Sequence, residues 1–330
     1  MTIAAGLLMI VTLAIGWFGS YWLASHRNPL RIMDQPNERS LHEVPTPRAG
    51  GVAILLSLLV GWLSISFAWE LPGAIKSAFI ALIIVGGVSL LDDRWDISPL
   101  YRLLAQGAAA ALLLIALPEE WFIMLGVWLG IVWMINLYNF MDGIDGLAGG
   151  MAVIGFGSLG LIAWVNGYSL FSVYAWVVSI ASLGFLILNW PPARIFMGDV
   201  GSASLGLLVS VFSLWGVQEN LFSYWIPLLI FSPFIVDATI TLLRRAWNGE
   251  KVWEAHCSHY YQRLVRLGWG HRKTVLFEYC LMLICALCAL MFNAADDVVI
   301  SASIVIALGV VYSTIAVRIY YLEQERNSGQ

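Results

Sequence analysis

The chain carries a succession of apolar segments, most of them long enough to cross a bilayer as α-helices. A spanning helix needs roughly 20 mostly apolar residues. Eleven such segments occur, some of them short, over 2–24, 51–69, 75–91, 102–117, 121–138, 148–165, 170–188, 202–217, 222–243, 274–292 and 298–321. We therefore predict an all-α, polytopic integral membrane protein with about eleven transmembrane helices, which forms a single domain over residues 1–330.

Composition supports this class and excludes others. Only 12% of the residues are charged, against about 25% in a soluble domain. No basic face dominates, so we expect no nucleic-acid partner. The first apolar segment lacks a basic stretch before it and is interpreted as a retained transmembrane helix, not as a signal peptide.

The basic residues predict the orientation. With eleven spans, sixteen of the 17 Lys and Arg residues fall on one side and only Lys76 on the other. Because cytoplasmic loops are enriched in Lys and Arg, this face is predicted to be cytoplasmic, with a periplasmic N-terminus and a cytoplasmic C-terminus. Its largest loop is predicted over 244–273.

One polar stretch at this face follows the apolar segment 121–138. Its polar residues recur every three positions: Asn136, Asn139, Asp142 and Asp145. On a helix this spacing places neighbours on one side, and Gly143 and Gly146 predict that the helix ends there. With no Lys or Arg nearby, these groups call for a hard cation or a polar ligand. A polar helix cap is the alternative.

Two further loops on this face carry charged residues. The amides of Ala49 to Gly51 open a helix and, with Arg48, could bind an anion; a plain linker is the alternative. Asp92 and Asp93 end an apolar helix, and adjacent carboxylates raise one another's pKa, which suits a general base or a shared cation. Arg102 could meet a lipid phosphate or simply snorkel at its helix end.

The last two loops add metal-ligand and phosphate-binding candidates. Asp199 lies between two glycines, as a metal ligand or, with Ser202 as the other candidate, as a helix N-cap. His256 and His259 would face one way on a helix. A structural zinc site is disfavoured there, whereas phosphate contact fits with Arg263 beside them. An amphipathic helix on the membrane surface is the alternative.

Together these motifs resemble the polyprenyl-phosphate N-acetylhexosamine-1-phosphate transferases, glycosyltransferase family 4. The pieces that match, in the family's order, are Pro-Thr46-Pro-Arg48-Ala-Gly-Gly, Asp92-Asp93-x-x-Asp96, Asn136-x-x-Asn139-x-x-Asp142-Gly-Ile-Asp145-Gly, Phe196-Met-Gly-Asp199-Val-Gly-Ser and the His motif of the last large loop. The resemblance spans roughly 34–275. The helix count resembles the branch that initiates O-antigen and related glycans rather than the muramoyl-pentapeptide branch.

The resemblance implies a reaction. Undecaprenyl phosphate would attack a UDP-N-acetylhexosamine at its β-phosphorus and release UMP, at the cytoplasmic face of a bacterial inner membrane. Mg²⁺, with Mn²⁺ as the alternative ion, would be held by Asn139 and Asp199. The resemblance does not decide the oligomeric state, and a homodimer is one possibility.

The resemblance also implies roles for the remaining residues. Asp92 and Asp93 would act on the acceptor phosphate or its proton, and Arg102 would contact that phosphate. The donor-side residues would be His256, His259 and Arg263, with Arg48 and Asn136 as further substrate contacts. Asp142 and Asp145 would either contact the uridine of the donor or hold their loop in place.

One departure concerns the His motif. Many members have His-x-His-His, whereas Ser258 replaces the middle histidine here. This puts the sugar in question, between N-acetylglucosamine and N-acetylated 6-deoxyhexoses such as N-acetylfucosamine or N-acetylquinovosamine. The reaction itself is not affected.

Two other classes compete. A transporter or flippase for a polyprenyl-linked or anionic solute would place polar residues at helix midpoints and on both faces, and the sequence has few of either. A CDP-alcohol phosphotransferase would have Ala-Arg after Asp-Gly, whereas Asp142-Gly is followed here by Ile-Asp-Gly.

Overall fold

The computed structural model describes residues 3–25, 28, 30, 32–36, 41, 44–95, 97–116, 120–252, 256–295 and 297–328. The motif residue Asp96 lies outside these residues. The described helices are α1 Ile3–Ala24, α2 Gly50–Ile65, α3 Gly73–Trp95, α4 Pro99–Ala116, α5 Trp121–Phe140, α6 Leu147–Val165, α7 Ser169–Asn189, α8 Gly198–Gln218, α9 Trp225–Ile230, α10 Ser232–Trp247, α11 Tyr260–Leu264, α12 Gly270–Asn293 and α13 Val298–Ser328. A π-helical turn, Val265–Trp269, joins α11 to α12, and β1 (Met33–Asp34) pairs with β2 (Thr46–Pro47) in an antiparallel ribbon.

Most of each apolar segment is helical in the described residues, which confirms an all-α, multi-pass membrane protein. Within the described residues, nine helices are long and apolar enough to cross a membrane, and α2 is a shorter apolar helix of 16 residues. The total of eleven spans and the orientation stay predictions.

The segment 222–243 is not one continuous helix. It forms α9 and α10, with Phe231 between them at φ −91° and ψ 7°. Pro233 in the first turn of α10 explains the break, because proline has no amide hydrogen to continue the preceding helix. The prediction of a single helix there was wrong.

Helix α8 lies at the centre of the bundle. Nearly all of its residues are buried, from Gly198 to Gly216. It packs against α2, α3 and α5, while α1 packs against α2 and α7, and α6 against α7. The first turn of α8 therefore lies where the ends of α3 and α5 and the start of α2 converge.

The start of α2 crosses the start of α8 with no room for side chains. The amide of Gly50 donates to the carbonyl of Phe196 at 2.9 Å, and the amide of Gly51 donates to that of Met197 at 2.7 Å. These amides are already satisfied by backbone. The predicted anion site on the amides of Ala49 to Gly51 was therefore wrong, and the segment instead fixes Arg48 beside α8.

Replacing Gly51 by alanine is expected to destabilise the protein. A Cβ at this position would lie 2.1 Å from the nitrogen and 2.4 Å from the Cα of Gly201. Because both atoms are backbone, the helices must move apart, and overpacking of this kind costs roughly 1–3 kcal/mol or more. Thermal unfolding of the detergent-purified protein should show a lower midpoint. Gly87→Ala on α3 is the control, since nothing lies within 4 Å of its Cβ; equal midpoints for the two variants would contradict the close crossing.

Candidate active site

A cavity of about 480 Å³ opens at the converging ends of α5 and α8. Seven of the twelve predicted site residues line it: Arg48, Arg102, Asn139, Asp142, Asp145, Asp199 and His256. Asp92 and Asp93 contact two of these lining residues from α3. Asn136, His259 and Arg263 do not line it. Sequence motifs from five separate regions therefore share one cavity.

Alternating charges form a chain along one wall. Arg48 pairs with Asp93, Nε to Oδ1 at 3.2 Å, and also with Asp199. Arg102 Nη1 lies 2.8 Å from Asp92 Oδ2 and 3.3 Å from Asp199 Oδ2. Asp199 is thus held between two guanidinium groups, each of which pairs with a second aspartate. Three carboxylates face two guanidinium groups, so the chain has a formal excess of one negative charge.

The N-terminus of α8 is capped from another helix. The Asp93 carboxylate accepts hydrogen bonds from the amides of Asp199 at 3.3 Å and Val200 at 3.4 Å. Asp199 itself lies in the first turn of α8, where no side chain of the N-cap residue makes a capping bond. The alternative in which Asp199 or Ser202 is the cap was therefore wrong. Because the Asp93 carboxylate caps these amides, the Asp199 side chain is not used as a cap, and it lines the cavity.

Asn139 reaches the same wall from the last turn of α5. Its Oδ1 accepts a hydrogen bond of 2.8 Å from Ser202 Oγ, one turn after Asp199 on α8. Asn136, one turn earlier, faces α4 instead, where its Nδ2 donates to Gln106 Oε1 at 2.7 Å. The prediction that the spaced polar residues share one side was wrong for Asn136, because its amide is used in helix packing.

The aspartates Asp142 and Asp145 lie beyond the end of α5. The helix ends at Phe140, as the glycines predicted, and Gly146 is the N-cap residue of α6, with φ +80°. Asp145 accepts from the amide of Ala193 at 3.0 Å and pairs with His271 at 3.2 Å. Burial raises the pKa of Asp142 well above its ordinary range; Arg48 opposes this shift, and the carboxylates of Asp199, Asp93 and Asp145 add to it. A cation among these carboxylates would favour the ionised form.

Arg48 keeps its charge within this cluster. Burial alone would lower the pKa of its guanidinium, but Asp199 and Asp93 outweigh that effect and the pKa is raised.

The His motif is not helical, contrary to the prediction. His259 is the N-cap residue of α11, and His256 lies in the loop before it, with ring centroids 4.8 Å apart. The two rings are neighbours because of the loop and not because of helical spacing. His256 lines the cavity, whereas His259 is 2% exposed and lies behind it. A direct substrate contact for His259 is therefore not supported by its position.

Ser258, the departure from the family pattern, fixes the ring of His256. Its amide donates to His256 Nδ1 at 3.3 Å, and its hydroxyl lies 2.9 Å from the same atom. An accepting Nδ1 leaves the proton of a neutral imidazole on Nε2. Burial, followed by the charges of His259 and Arg245, lowers the pKa of His256 to about 4. His256 is therefore neutral near pH 7.

The structure adds Asp237, whose role the sequence left open. Its Oδ1 contacts His259 Nδ1 at 3.2 Å and accepts from the Tyr260 amide at 2.9 Å, while Oδ2 accepts from the Tyr261 amide at 3.1 Å. Thr241 Oγ1 donates to Oδ1 at 3.1 Å. One buried carboxylate on α10 thus anchors the end of the His motif, from His259 to Tyr261.

Arg263 is placed outside the cavity. Its Nε and Nη2 lie 2.7 and 2.5 Å from the two carboxylate oxygens of Glu323 on α13. A bidentate pair of this kind fixes the side chain away from the cavity. Contact of Arg263 with the donor stays a prediction; in this structure its carboxylate partner comes from a helix far along the sequence.

The oxygen atoms at this site suit a hard cation that is also coordinated by water or substrate. Within the described ranges, no three His, Cys, Asp or Glu side chains are arranged to hold a metal. Asp199 and Asn139 both line the cavity and both present oxygen atoms. Mg²⁺ usually takes one or two protein oxygens together with substrate phosphates and waters. The residues present therefore fit Mg²⁺ better than a closed protein site such as structural zinc.

Several lining residues escaped the sequence analysis. His271, Gln262, Asn189 and Asp34 all line the cavity. Asn189 Oδ1 accepts from the Gly146 amide at 2.8 Å and so orients the loop after α5. Its position just before the Pro-Pro pair was the one local signal that could have singled it out.

The comparisons with known proteins agree with this geometry. The family model described as "Glycosyl transferase family 4" matches residues 75–217. A "Probable undecaprenyl-phosphate N-acetylglucosaminyl 1-phosphate transferase" of Bacillus subtilis (strain 168) is 34% identical over 281 residues, which cover 80% of this chain and 78% of the relative. The chain belongs to glycosyl transferase family 4, the polyprenyl-phosphate hexosamine-1-phosphate transferases. The resemblance seen in the motifs is thereby confirmed.

Two less similar relatives match over comparable lengths. A "Decaprenyl-phosphate N-acetylglucosaminephosphotransferase" of Mycobacterium tuberculosis (strain ATCC 25618 / H37Rv) is 29% identical over 326 residues, 83% of this chain and 80% of the relative. A "Phospho-N-acetylmuramoyl-pentapeptide-transferase" of Listeria monocytogenes serotype 4b (strain F2365) is 28% identical over 262 residues, 70% of this chain and 79% of the relative. As a family member, this multi-pass membrane protein is a transferase.

Proposed function

We propose that this chain transfers an N-acetylhexosamine-1-phosphate from a UDP-sugar to undecaprenyl phosphate. The reaction releases UMP and forms a lipid-diphosphate-linked sugar. The observation that carries this proposal is the chain Asp93–Arg48–Asp199–Arg102–Asp92 at the wall of a cavity that also receives Asn139 and His256. The activities in the names of the Bacillus subtilis and Mycobacterium tuberculosis relatives are of the same kind and support the proposal.

The reaction needs charge neutralisation and positioning more than covalent help from the protein. An oxygen of the acceptor phosphate forms a bond to the β-phosphorus of the donor. The bond from that phosphorus to the bridging oxygen breaks, and the oxygen leaves with UMP. A proton remaining on the acceptor phosphate would pass to Asp92, and Asp93 is proposed to hold the first turn of α8 in place.

The two arginines are proposed to serve the two substrates. Arg102, which is partly exposed and linked to Asp92, would receive the acceptor phosphate. Arg48, between Asp93 and Asp199, would bind the donor diphosphate. Both guanidinium groups can exchange a carboxylate oxygen for a phosphate oxygen without losing a charged partner.

The donor sugar and nucleotide would lie toward His256. Its neutral ring presents Nε2–H as a hydrogen-bond donor, since Ser258 occupies Nδ1. Asp142 and Asp145 would line the same side.

We further propose that Mg²⁺ is held by Asp199 and Asn139, with Mn²⁺ as an alternative. When bound, the ion would neutralise charge on the diphosphate. We also propose that the reaction takes place at the cytoplasmic face of a bacterial inner membrane and initiates O-antigen or a related envelope glycan.

A direct assay tests the proposal. The purified protein is incubated with undecaprenyl phosphate, Mg²⁺ and radiolabelled UDP-N-acetylglucosamine, UDP-N-acetylfucosamine or UDP-N-acetylquinovosamine. Label should appear in the lipid fraction with one of these donors, UMP should be released in equal amount, and chelation of the metal should abolish both. Absence of lipid-linked label with every donor would refute the proposed reaction, and undiminished transfer in EDTA would refute its metal dependence.

A further inference from the structure

A second cavity, of about 560 Å³, lies on the other side of the His motif. It is bounded by the end of α10, the π-helical turn and the last turns of α13. Its charged lining consists of Arg244, Arg263, Arg266, Arg326 and Glu323. Four guanidinium groups face one carboxylate, so the lining carries a formal charge of +3. We call it the arginine cavity.

Among the described residues that line the arginine cavity, Arg263 is the arginine that forms a direct ion pair, although the Glu323 carboxylate also interacts with the charge of Arg244. Arg263 forms the bidentate pair with Glu323. Arg244 donates to the carbonyl of Ser258 at 3.0 Å, and Arg326 donates to the carbonyl of Arg266. These neutral partners orient the guanidinium groups without cancelling their charge. The Arg266 guanidinium is exposed and forms no ion pair with a described residue.

The arginine cavity lies at the depth of a membrane interface. Helix α13 has 31 residues, so it is roughly 46 Å long at 1.5 Å per residue. This exceeds the hydrocarbon core of about 30 Å, so its last turns extend past that core. Exposed aromatic side chains lie close in sequence to the lining residues: Trp247 ends α10, and Tyr320 and Tyr321 precede Glu323. Aromatic residues of this kind concentrate at headgroup level.

We propose that the arginine cavity binds the phosphate of an anionic phospholipid headgroup. Guanidinium groups match phosphate oxygens in geometry and charge, and basic pockets between helices at the membrane surface recognise anionic lipids. An uncompensated charge of this size next to a bilayer favours a lipid over a free phosphate, because the lipid's acyl chains remain in the membrane.

The arginine cavity is separate from the catalytic cavity but shares one wall with it. Cys257 lines both. Arg244 holds the carbonyl of Ser258, whose amide and hydroxyl contact the His256 ring. A headgroup bound to Arg244 would therefore lie behind the segment that carries His256.

Binding of lipid to the detergent-purified full-length protein tests the site. Native mass spectrometry with added phosphatidylglycerol is compared between wild type and the Arg266→Gln/Arg326→Gln double variant. A basic residue near an anionic headgroup contributes ~1 kcal/mol, so two should change affinity roughly thirtyfold. The control is Arg94→Gln/Arg194→Gln, which removes two exposed arginines that lie outside the arginine cavity.

The outcomes separate the sources of phosphate. We expect tight binding of phosphatidylglycerol by the wild type, weak binding of phosphatidylcholine, and the thirtyfold loss of phosphatidylglycerol affinity in Arg266→Gln/Arg326→Gln but not in Arg94→Gln/Arg194→Gln. Equal binding by the two double variants would overturn the site. Glycerol phosphate competing as well as the lipid would overturn the lipid assignment and leave a soluble phosphate as the ligand. None of these results depends on sugar transfer, so they stand apart from a failure of the proposed reaction.

Discussion

Asp199→Asn is expected to reduce sugar-phosphate transfer by roughly a thousandfold, which corresponds to about 4 kcal/mol of transition-state stabilisation. The substitution keeps the shape of the side chain but removes the charge shared by Arg48 and Arg102. It also removes the carboxylate proposed to hold Mg²⁺, whose role is to stabilise charge that develops at the transferring phosphorus. Initial rates of lipid labelling at saturating substrates measure the effect.

The control for this variant lies on the same helix. Glu219→Gln makes the same chemical change at the exposed C-cap of α8 and should leave the rate unchanged. Asp92→Asn should also nearly abolish transfer, but through the acceptor. Only Asp199→Asn should raise the Mg²⁺ concentration needed for half-maximal rate. Full activity in both Asp199→Asn and Asp92→Asn, with unchanged thermal unfolding, would remove the assignment of these residues to the site.

The sequence predicted the helices well because membrane insertion imposes a simple rule. A segment must be apolar over its whole length, and this property is local. The boundaries at polar residues were less exact: the apolar segment was bounded at residue 91, whereas α3 extends to Trp95, and Asp92 and Asp93 lie in its last turn, at the helix end where they were expected. The break in the segment 222–243 depended on one residue, Pro233, within an otherwise apolar stretch.

The sequence was enough to predict which motifs form the site, but not which of their side chains contact one another. Placing the polar motifs on one membrane face was enough to suggest that Asp92, Asp93 and Asp199 meet. The pairing of Arg48 with Asp199, 151 residues apart, depends on the glycine crossing of α2 and α8. No local pattern contains that information.

Two of the predicted site residues lie away from the cavity for the same physical reason. Asn136 and Arg263 each bind a partner that is distant in sequence, Gln106 and Glu323 respectively. Spacing along a helix indicates which side a residue faces, but it cannot show whether another element already occupies that side. The polar side chains that line the cavity, such as Asn139, Asp142 and Asp199, instead lie at helix ends close to Gly143 and Gly198.

Asp237→Asn is expected to raise the KM for the UDP-sugar at least tenfold while changing the KM for the lipid acceptor little. Asp237 accepts hydrogen bonds from two successive backbone amides, from Thr241 and from the His259 ring. Asparagine has one oxygen instead of two, so its amide would face a backbone N–H that also donates. A buried donor left without an acceptor costs about 1–3 kcal/mol, and the His motif would shift to relieve it. Steady-state kinetics with each substrate varied separately measures the split.

Thr241→Val is the matched control for this variant. It removes the one bond to Asp237 that comes from α10 itself and leaves the bonds to the His motif. It should therefore lower thermal stability without changing either KM. If Asp237→Asn lowered only stability, with both KM values unchanged, Asp237 would have a purely structural role in the fold. If Asp237→Asn raised both KM values equally, the His motif would serve the whole cavity and not the donor alone. The separation of the two KM values therefore decides whether the anchored His motif faces the nucleotide sugar.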